Sequence, residues 1–288
     1  MHPVRLIGVA CGLGAPDHGC ADGPLFLREL KVFQEGNIPA AWEDMLWPDP
    51  AILESAIAAT SELYSRLATH VQNVLEAGHF PLVVGGDHSC AIGTWSGVHQ
   101  WLGTRSSLGL VWIDAHMDSH TFVTTPSGAL NGMPLACLLG YGEQALTSIG
   151  TTAPKLHPEH VCLLGVRSFE EGEAALLKKL GVRVIGMEEI RKRGVPATLA
   201  EAITIASNGT AGYGVSIDLD VLDPSEEPGV GSPASGGLLC SELEQALHQL
   251  RDDPAMLAME IVEYNPHHDR GQLTAKAAGA LFRAALGR

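Results

Sequence analysis

Short, almost uninterrupted apolar runs recur along the chain at Val4 to Ala10, Pro81 to Val84, Leu108 to Ile113, Val161 to Val166, Val182 to Met187, Tyr213 to Ile217 and Leu257 to Val262. Their length suits strands, and their lack of polar alternation predicts strands without a wet face, as in a parallel sheet covered on both sides. Longer stretches with helical spacing lie between them. Ala51 to Ala77 opens after Pro48-Asp49-Pro50 and stops before Gly78, a residue suited to a left-handed helix cap. Ser241 to Leu250 and Gln272 to Leu286 follow the same pattern. Strand and helix alternate from end to end, which predicts an α/β fold: one three-layer α/β/α domain, residues 1–288, around a mainly parallel sheet. The polar, Gly- and Pro-rich stretches Gly12 to Gly23, Thr121 to Pro134 and Ser225 to Gly237 each follow a predicted strand, and open parallel sheets bind ligands at such carboxyl-end loops.

Charge and composition narrow the function classes. Eighteen Lys plus Arg against 33 Asp plus Glu leave a net charge of −15, which repels phosphate backbones and anionic membranes, so neither nucleic acid nor membrane is expected as a partner. No run approaches the roughly 18 apolar residues a spanning helix needs. The six cysteines are scattered and form no CxxC pair, which argues against a zinc knuckle or disulfide framework and for a cytoplasmic location. Gly12-x-Gly14 lacks the third glycine of a dinucleotide fingerprint, and neither Ser89 nor Ser216 sits in a GxSxG elbow.

The candidate chemistry lies at four predicted strand ends. Gly85-Gly86-Asp87-His88-Ser89 reads as a tight turn delivering His88 to the strand's carboxyl end. In Asp114-Ala115-His116-Met117-Asp118 the i, i+2, i+4 spacing of an extended segment aims two carboxylates and an imidazole one way. Such groups repel or desolvate one another unless a cation sits between them. Ser216-Ile217-Asp218-Leu219-Asp220 repeats the carboxylate pairing, and Asp223-Pro224 behind it reads as a structural turn. Three strands delivering His or Asp to one edge predict a two-metal site, and donors without thiolate favour manganese over zinc, iron, cobalt or nickel. In Glu260-Ile261-Val262-Glu263 alternation places the two glutamates on opposite faces. Glu263, nearer the strand end, is suited either to gripping a guanidinium beside the metals or to a buried structural role. His267-His268 reads as a solvated turn.

These motifs, with Gly23-Pro24 near the start and Gly231 to Leu238, resemble the ureohydrolase family of arginases, agmatinases and formimidoylglutamases over nearly the whole chain. The resemblance implies one manganese held by His88, Asp114, Asp118 and Asp218 and a second by Asp114, His116, Asp218 and Asp220. It implies Asp118 and Glu263 as catalytic residues in the hydrolysis of a guanidino C–N bond, with urea released. The stretches Thr124 to Pro134 and Gly165 to Glu173 look most like the substrate loops of arginases, which makes arginine the first choice among small guanidino substrates. His120, Ser127, Asn131, Glu170 and Ser232 are the implied substrate-binding positions. Arginases carry Asn at His120 and Ala129, Asp at Glu170, and a proton-shuttling His at Asn131. His120, two residues past Asp118, is therefore a candidate to replace the shuttle in part, the alternative being contact with the substrate's tail. Other guanidino or formimino substrates, and a metal-bound regulatory protein without turnover, are the competing readings. By the same resemblance a homo-oligomer, trimer or hexamer, is expected.

Overall fold

The computed structural model describes residues 2–34, 38–103 and 106–287. Its strands are β1 (Val4–Val9), β2 (Ala40–Leu46), β3 (Phe80–Gly85), β4 (Leu108–Ile113), β5 (Leu156–Val166), β6 (Arg183–Gly186), β7 (Gly212–Asp218) and β8 (Met256–Val262). They form one sheet in the order β2-β1-β3-β8-β7-β4-β5-β6, with every neighbouring pair parallel. β3, β4 and β7 are buried at every position, which is why they read as continuous apolar runs. Successive side chains still alternate: Val111 and Ile113 enter one core layer, Leu110 and Trp112 the other. Helices Ala56–Glu76 and Ala91–Leu102 cover one face, and Val195–Ser207, Cys240–Leu247 and Leu273–Leu286 the opposite one. The three-layer α/β/α arrangement is the one expected. Among the described residues no helix is long and apolar enough to cross a membrane.

Two local differences have clear causes. The edge strand β2 was not anticipated, because only Met45 and Leu46 of its seven residues are buried and its extended form comes from pairing with β1. The stretch Ala51 to Ala77 divides into a 3-10 turn, Pro50–Ile52, and a helix beginning at Ala56, where the Ser55 hydroxyl accepts from the Ala58 amide at 3.3 Å. Gly78, at φ +73°, ends it as predicted.

The strand order decides where function can sit. The four motif-bearing strands, third, fourth, seventh and eighth in sequence, stand side by side as β3-β8-β7-β4 in the middle of the sheet. The chain passes over β8 and β7 on its way from β3 to β4, and such a reversal opens a crevice at the strands' carboxyl ends.

One buried acid yields a stability prediction. Glu227, in the loop after β7, is 8% exposed and its Oε2 has no hydrogen-bond partner. Burial, reinforced by Glu226, Asp223 and Asp269, pushes this carboxyl up to about 7 from an ordinary value of 4.5. Between those values the native chain binds more protons here than the unfolded chain, so stability falls as pH rises through that window and stays low above it. Glu227→Gln is expected to raise Tm at pH 8 by roughly 2–4 °C, the size of about 1 kcal/mol, with little gain at pH 4.5. Thermal scans at both pH values check this.

Candidate metal centre and substrate cleft

His88 reaches the site because the end of β1 closes tightly on the end of β3. The Gly86 amide donates to Val9 O at 2.8 Å and the Asp87 amide to Cys11 O at 2.9 Å. A Cβ on Gly86 would lie 1.9 Å from Cys11 O, so the glycine is needed for close approach rather than for an unusual turn. Asp87 then caps the 3-10 turn His88–Cys90, accepting from the Ser89 amide at 3.0 Å. Its other oxygen accepts from Gly14 N at 3.0 Å, and Gly14 O accepts from Asn131 N at 3.0 Å, which stitches two cleft loops to this turn.

The remaining acids converge by geometries that simple alternation did not foresee. After Ile113 the chain bends, and Asp118 adopts a left-handed backbone at φ +49°. Asp114 Oδ1 accepts from His116 N at 2.6 Å and its Oδ2 from Trp112 Nε1 at 2.8 Å. Asp218 ends β7 and caps the 3-10 turn Leu219–Val221, accepting from Asp220 N at 2.8 Å. These turns bring His88 Nδ1 to 3.2 Å from Asp114 Oδ2 and to 3.1 Å from Oδ2 of both Asp118 and Asp218. His116 Nδ1 lies 3.0 Å from Asp220 Oδ2 and 3.6 Å from Asp114 Oδ1. The sets His88, Asp114, Asp218 and Asp114, His116, Asp220 each gather their donor atoms within 4.8 Å, with Asp114 common to both.

A hydrogen-bonded series behind His88 tests whether a cation fits. Its Nε2 is 2.8 Å from Ser216 Oγ, which donates to Glu260 Oε1 at 2.7 Å, where Trp95 Nε1 also donates at 2.6 Å. The imidazole proton therefore belongs on Nε2, and the Nδ1 lone pair faces three carboxylate oxygens, an acceptor among acceptors. Without a cation only protons relieve this. Burial lowers the His88 pKa, but contacts with Asp114, Asp118 and Asp218 drive it well above the ordinary range. Burial and then Asp114 raise Asp118; burial, Asp220 and Asp114 raise Asp218. Asp114 goes down despite its burial, because His116 and His88 lie against it. Buried carboxylate and imidazole donors in this conflict fit a pair of divalent cations.

Glu263 stands beside the cluster at the end of β8, with φ at +66° and its amide donating to Gly86 O at 2.8 Å. Its Oε1 accepts from the His88 amide at 2.8 Å and from Asn131 Nδ2 at 3.5 Å. Burial, then the charge of Asp87, push its pKa up to about 7. The expected separation of the glutamates holds: Glu263 lines the cleft, while Glu260 lies fully buried behind His88. Asp118 and Glu263, the two expected catalytic residues, both have the left-handed backbone that side chains rarely adopt and that concentrates at functional sites.

The cleft over the cluster has a volume of about 180 Å³. His120, Ser127, Asn131, Glu170 and Ser232 all line it, as do His116, Asp118, Asp218, Asp220 and Glu263; among the described residues no Lys or Arg does. His120 is held at both ring nitrogens, Nε2 by Glu170 Oε2 at 2.9 Å and Nδ1 by Thr124 Oγ1 at 3.1 Å, with Glu173 Oε1 at 3.6 Å. Glu173, Trp95 and Arg167 were not singled out by sequence, and Ser216 was weighed there only as a nucleophile. The Arg167 guanidinium donates to the carbonyls of Asp220 and Ala234, both at 2.7 Å, and so ties the 225–237 loop to the metal-side turn. Asp223 is structural as expected, accepting from the Ser225, Gly236 and Gly237 amides. The His267-His268 turn is exposed as expected, and both rings also find partners: His267 Nε2 is 2.8 Å from Asp22, and His268 meets Asp17 at 3.2 Å and Val230 O at 2.9 Å.

Buried imidazole and carboxylate donors gathered at the carboxyl ends of a three-layer parallel sheet define a hydrolase with a binuclear metal centre. The model of the Arginase family matches residues 2–287, and the chain belongs to that family. It is 43% identical over 293 residues to an arginase of Brevibacillus brevis, covering 99% of this chain and 97% of the relative. The solved arginase of Bacillus caldovelox superposes with a TM-score of 0.93 at 37% identity, covering 100% of this chain and 99% of that one. A formimidoylglutamase of Bacillus subtilis, 24% identical with a TM-score of 0.81 and coverage of 99% and 86%, shares the fold.

Proposed function

We propose that this chain hydrolyses the guanidino C–N bond of L-arginine, releasing urea and L-ornithine, with two manganese ions. The observation that carries the reading is the charge of the cleft. Glu263 stands by the metal donors, Glu170 and Glu173 lie with His120 further along the lining, and among the described residues no Lys or Arg lines the cleft with them. Such a cleft suits a small substrate cationic at both ends, guanidinium inward and ammonium outward. The curated relatives named arginase support the choice.

In this reading His88, Asp114, Asp118 and Asp218 hold one ion, and Asp114, His116, Asp218 and Asp220 the other. When bound, the ions supply Lewis acidity that makes water a nucleophile near neutral pH. Glu263 binds the guanidinium and sets its carbon toward the metal side. Asp118 Oδ2, 3.1 Å from His88 Nδ1, would share an ion with it, which leaves Oδ1 to take the proton of the attacking water and pass it to the leaving amine. Asn131 cannot ionise and acts by its hydrogen bond to Glu263. His120, fixed by Glu170 and Thr124, joins Ser127, Glu170 and Ser232 in recognising the substrate's tail. The same reading makes the chain one domain, supported by its single sheet and the family match over residues 2–287. It also makes the protein a cytoplasmic homo-oligomer of three or six copies; the six free cysteines accord with a reducing compartment.

The test is a panel of L-arginine, agmatine, 4-guanidinobutyrate and N-formimino-L-glutamate, with urea and formamide measured on manganese-loaded protein. Urea from L-arginine is expected, with kcat/KM roughly 100-fold above 4-guanidinobutyrate, whose anionic tail meets Glu170 and Glu173. A preference for agmatine or for a formimino substrate, or no turnover at full metal loading, would overturn the reading.

A further inference from the structure

Cys20 lies in the 3-10 turn His18–Asp22, where Asp17 caps the segment by accepting from the Gly19 amide at 2.9 Å. Asp17 Oδ2 also accepts from Asn265 Nδ2 at 3.1 Å, so the turn is stapled to the chain two residues beyond Glu263. This staple delivers a fully buried thiol to the cleft carboxylate: Cys20 Sγ is 3.1 Å from Glu263 Oε2 and 3.6 Å from Glu263 O. Gly231 packs on both partners, since a Cβ there would lie 3.2 Å from Cys20 Sγ and 3.2 Å from Glu263 Oε2. Burial and the adjacent Glu263 charge hold the thiol far above its ordinary pKa, so it remains an S–H donor.

The two oxygens of Glu263 are thus held from different parts of the chain, Oε1 by the His88 amide and Asn131, Oε2 by Cys20. The terminal torsion of a glutamate is broad and nearly twofold, so anchors on Oε1 alone leave Oε2 free to swing. A planar guanidinium needs the carboxylate plane set in advance. We propose that Cys20 is a positioning residue: its S–H donates to Glu263 Oε2 and fixes the plane in which the carboxylate meets a guanidinium. This rests on the reading of Glu263 as the guanidinium anchor. The sulfur is a weak donor, so the effect is one of alignment, felt in substrate affinity more than in turnover.

The test uses the full manganese-loaded chain with L-arginine as the probe. Cys20→Ala and Cys20→Val remove the donor while changing side-chain volume in opposite directions, and Cys20→Ser keeps a donor. Both Ala and Val are expected to raise KM roughly fivefold to tenfold with kcat within about threefold, and Ser to hold KM within about twofold. An infrared difference between wild type and Cys20→Val isolates the S–H stretch, expected below the free-thiol frequency and shifted upward in Glu263→Gln. A stretch at the free-thiol frequency, a Ser variant that behaves like Ala, or an unchanged KM in Ala and Val each overturns the proposal. If Glu263→Gln raises KM while the Cys20 variants do not, the role of Cys20 alone is wrong. If Glu263→Gln also leaves KM unchanged, the anchor reading falls and takes the proposal with it.

Discussion

Removal of the metal ions is expected to abolish hydrolysis of L-arginine, by at least ~1000-fold, and to be reversed by added manganese. The ground is the conflict within the cluster. Asp114, Asp118, Asp218 and Asp220 are buried around His88 and His116, and the cation-free state is relieved only by protons taken up at His88, Asp118 and Asp218. Metal uptake must therefore expel protons, so affinity weakens as pH falls and a chelator works faster in mild acid. Each ion present at about 100 times its dissociation constant adds about 2.7 kcal/mol of stability, so the pair adds about 5 kcal/mol. Their loss should lower Tm by roughly 10–20 °C. Elemental analysis of protein purified without chelator should find close to two ions per chain. Full activity in a preparation shown to be metal-free would sink the proposed centre.

Glu263→Gln is expected to leave metal content near two per chain and to cut kcat/KM for L-arginine by roughly 100- to 5000-fold. The amide preserves size and can still accept from the His88 amide, but replaces a charge-assisted acceptor with a neutral one. Breaking one side of a buried charge pair costs about 3–5 kcal/mol, which sets that range. Inhibition by urea, a neutral product, should change far less. Unchanged kinetics in this variant would mean that Glu263 serves the fold, through its amide bond to Gly86 and its place at the end of β8.

Of the residues named from the motifs as ligands or catalytic groups, His116, Asp118, Asp218, Asp220 and Glu263 line the cleft and His88 and Asp114 pack against them, but their aim differs from the expected one. Alternation along extended chain put Asp114, His116 and Asp118 on one face. In the structure the chain bends after Ile113, and the left-handed backbone of Asp118 turns its carboxylate to His88. Asp218 and Asp220 likewise converge because Asp218 caps a 3-10 turn. Residue types and their closeness in sequence were informative because a short chain segment cannot carry such groups far apart. How each side chain is aimed was not legible.

The supporting residues were invisible for a different reason. Cys20 and Glu263 are 243 positions apart, and Trp95 and Glu260 are 165 apart. A buried cysteine, serine or tryptophan carries no local pattern to distinguish a hydrogen-bond donor at a functional site from core filling. Arg167 offered a charge in a loop, but its work on the carbonyls of Asp220 and Ala234 exists only once those loops are folded together.

By itself the sequence determined the covered parallel sheet and the sites at its strand ends, because burial on both faces and the turn chemistry of loops are written locally. Only the tertiary structure decided that β3, β8, β7 and β4 stand side by side, which makes one centre of His88, Asp114, Asp218 and Glu263. That order depends on long crossover connections and on which helices fill each face, and no short window of sequence contains either.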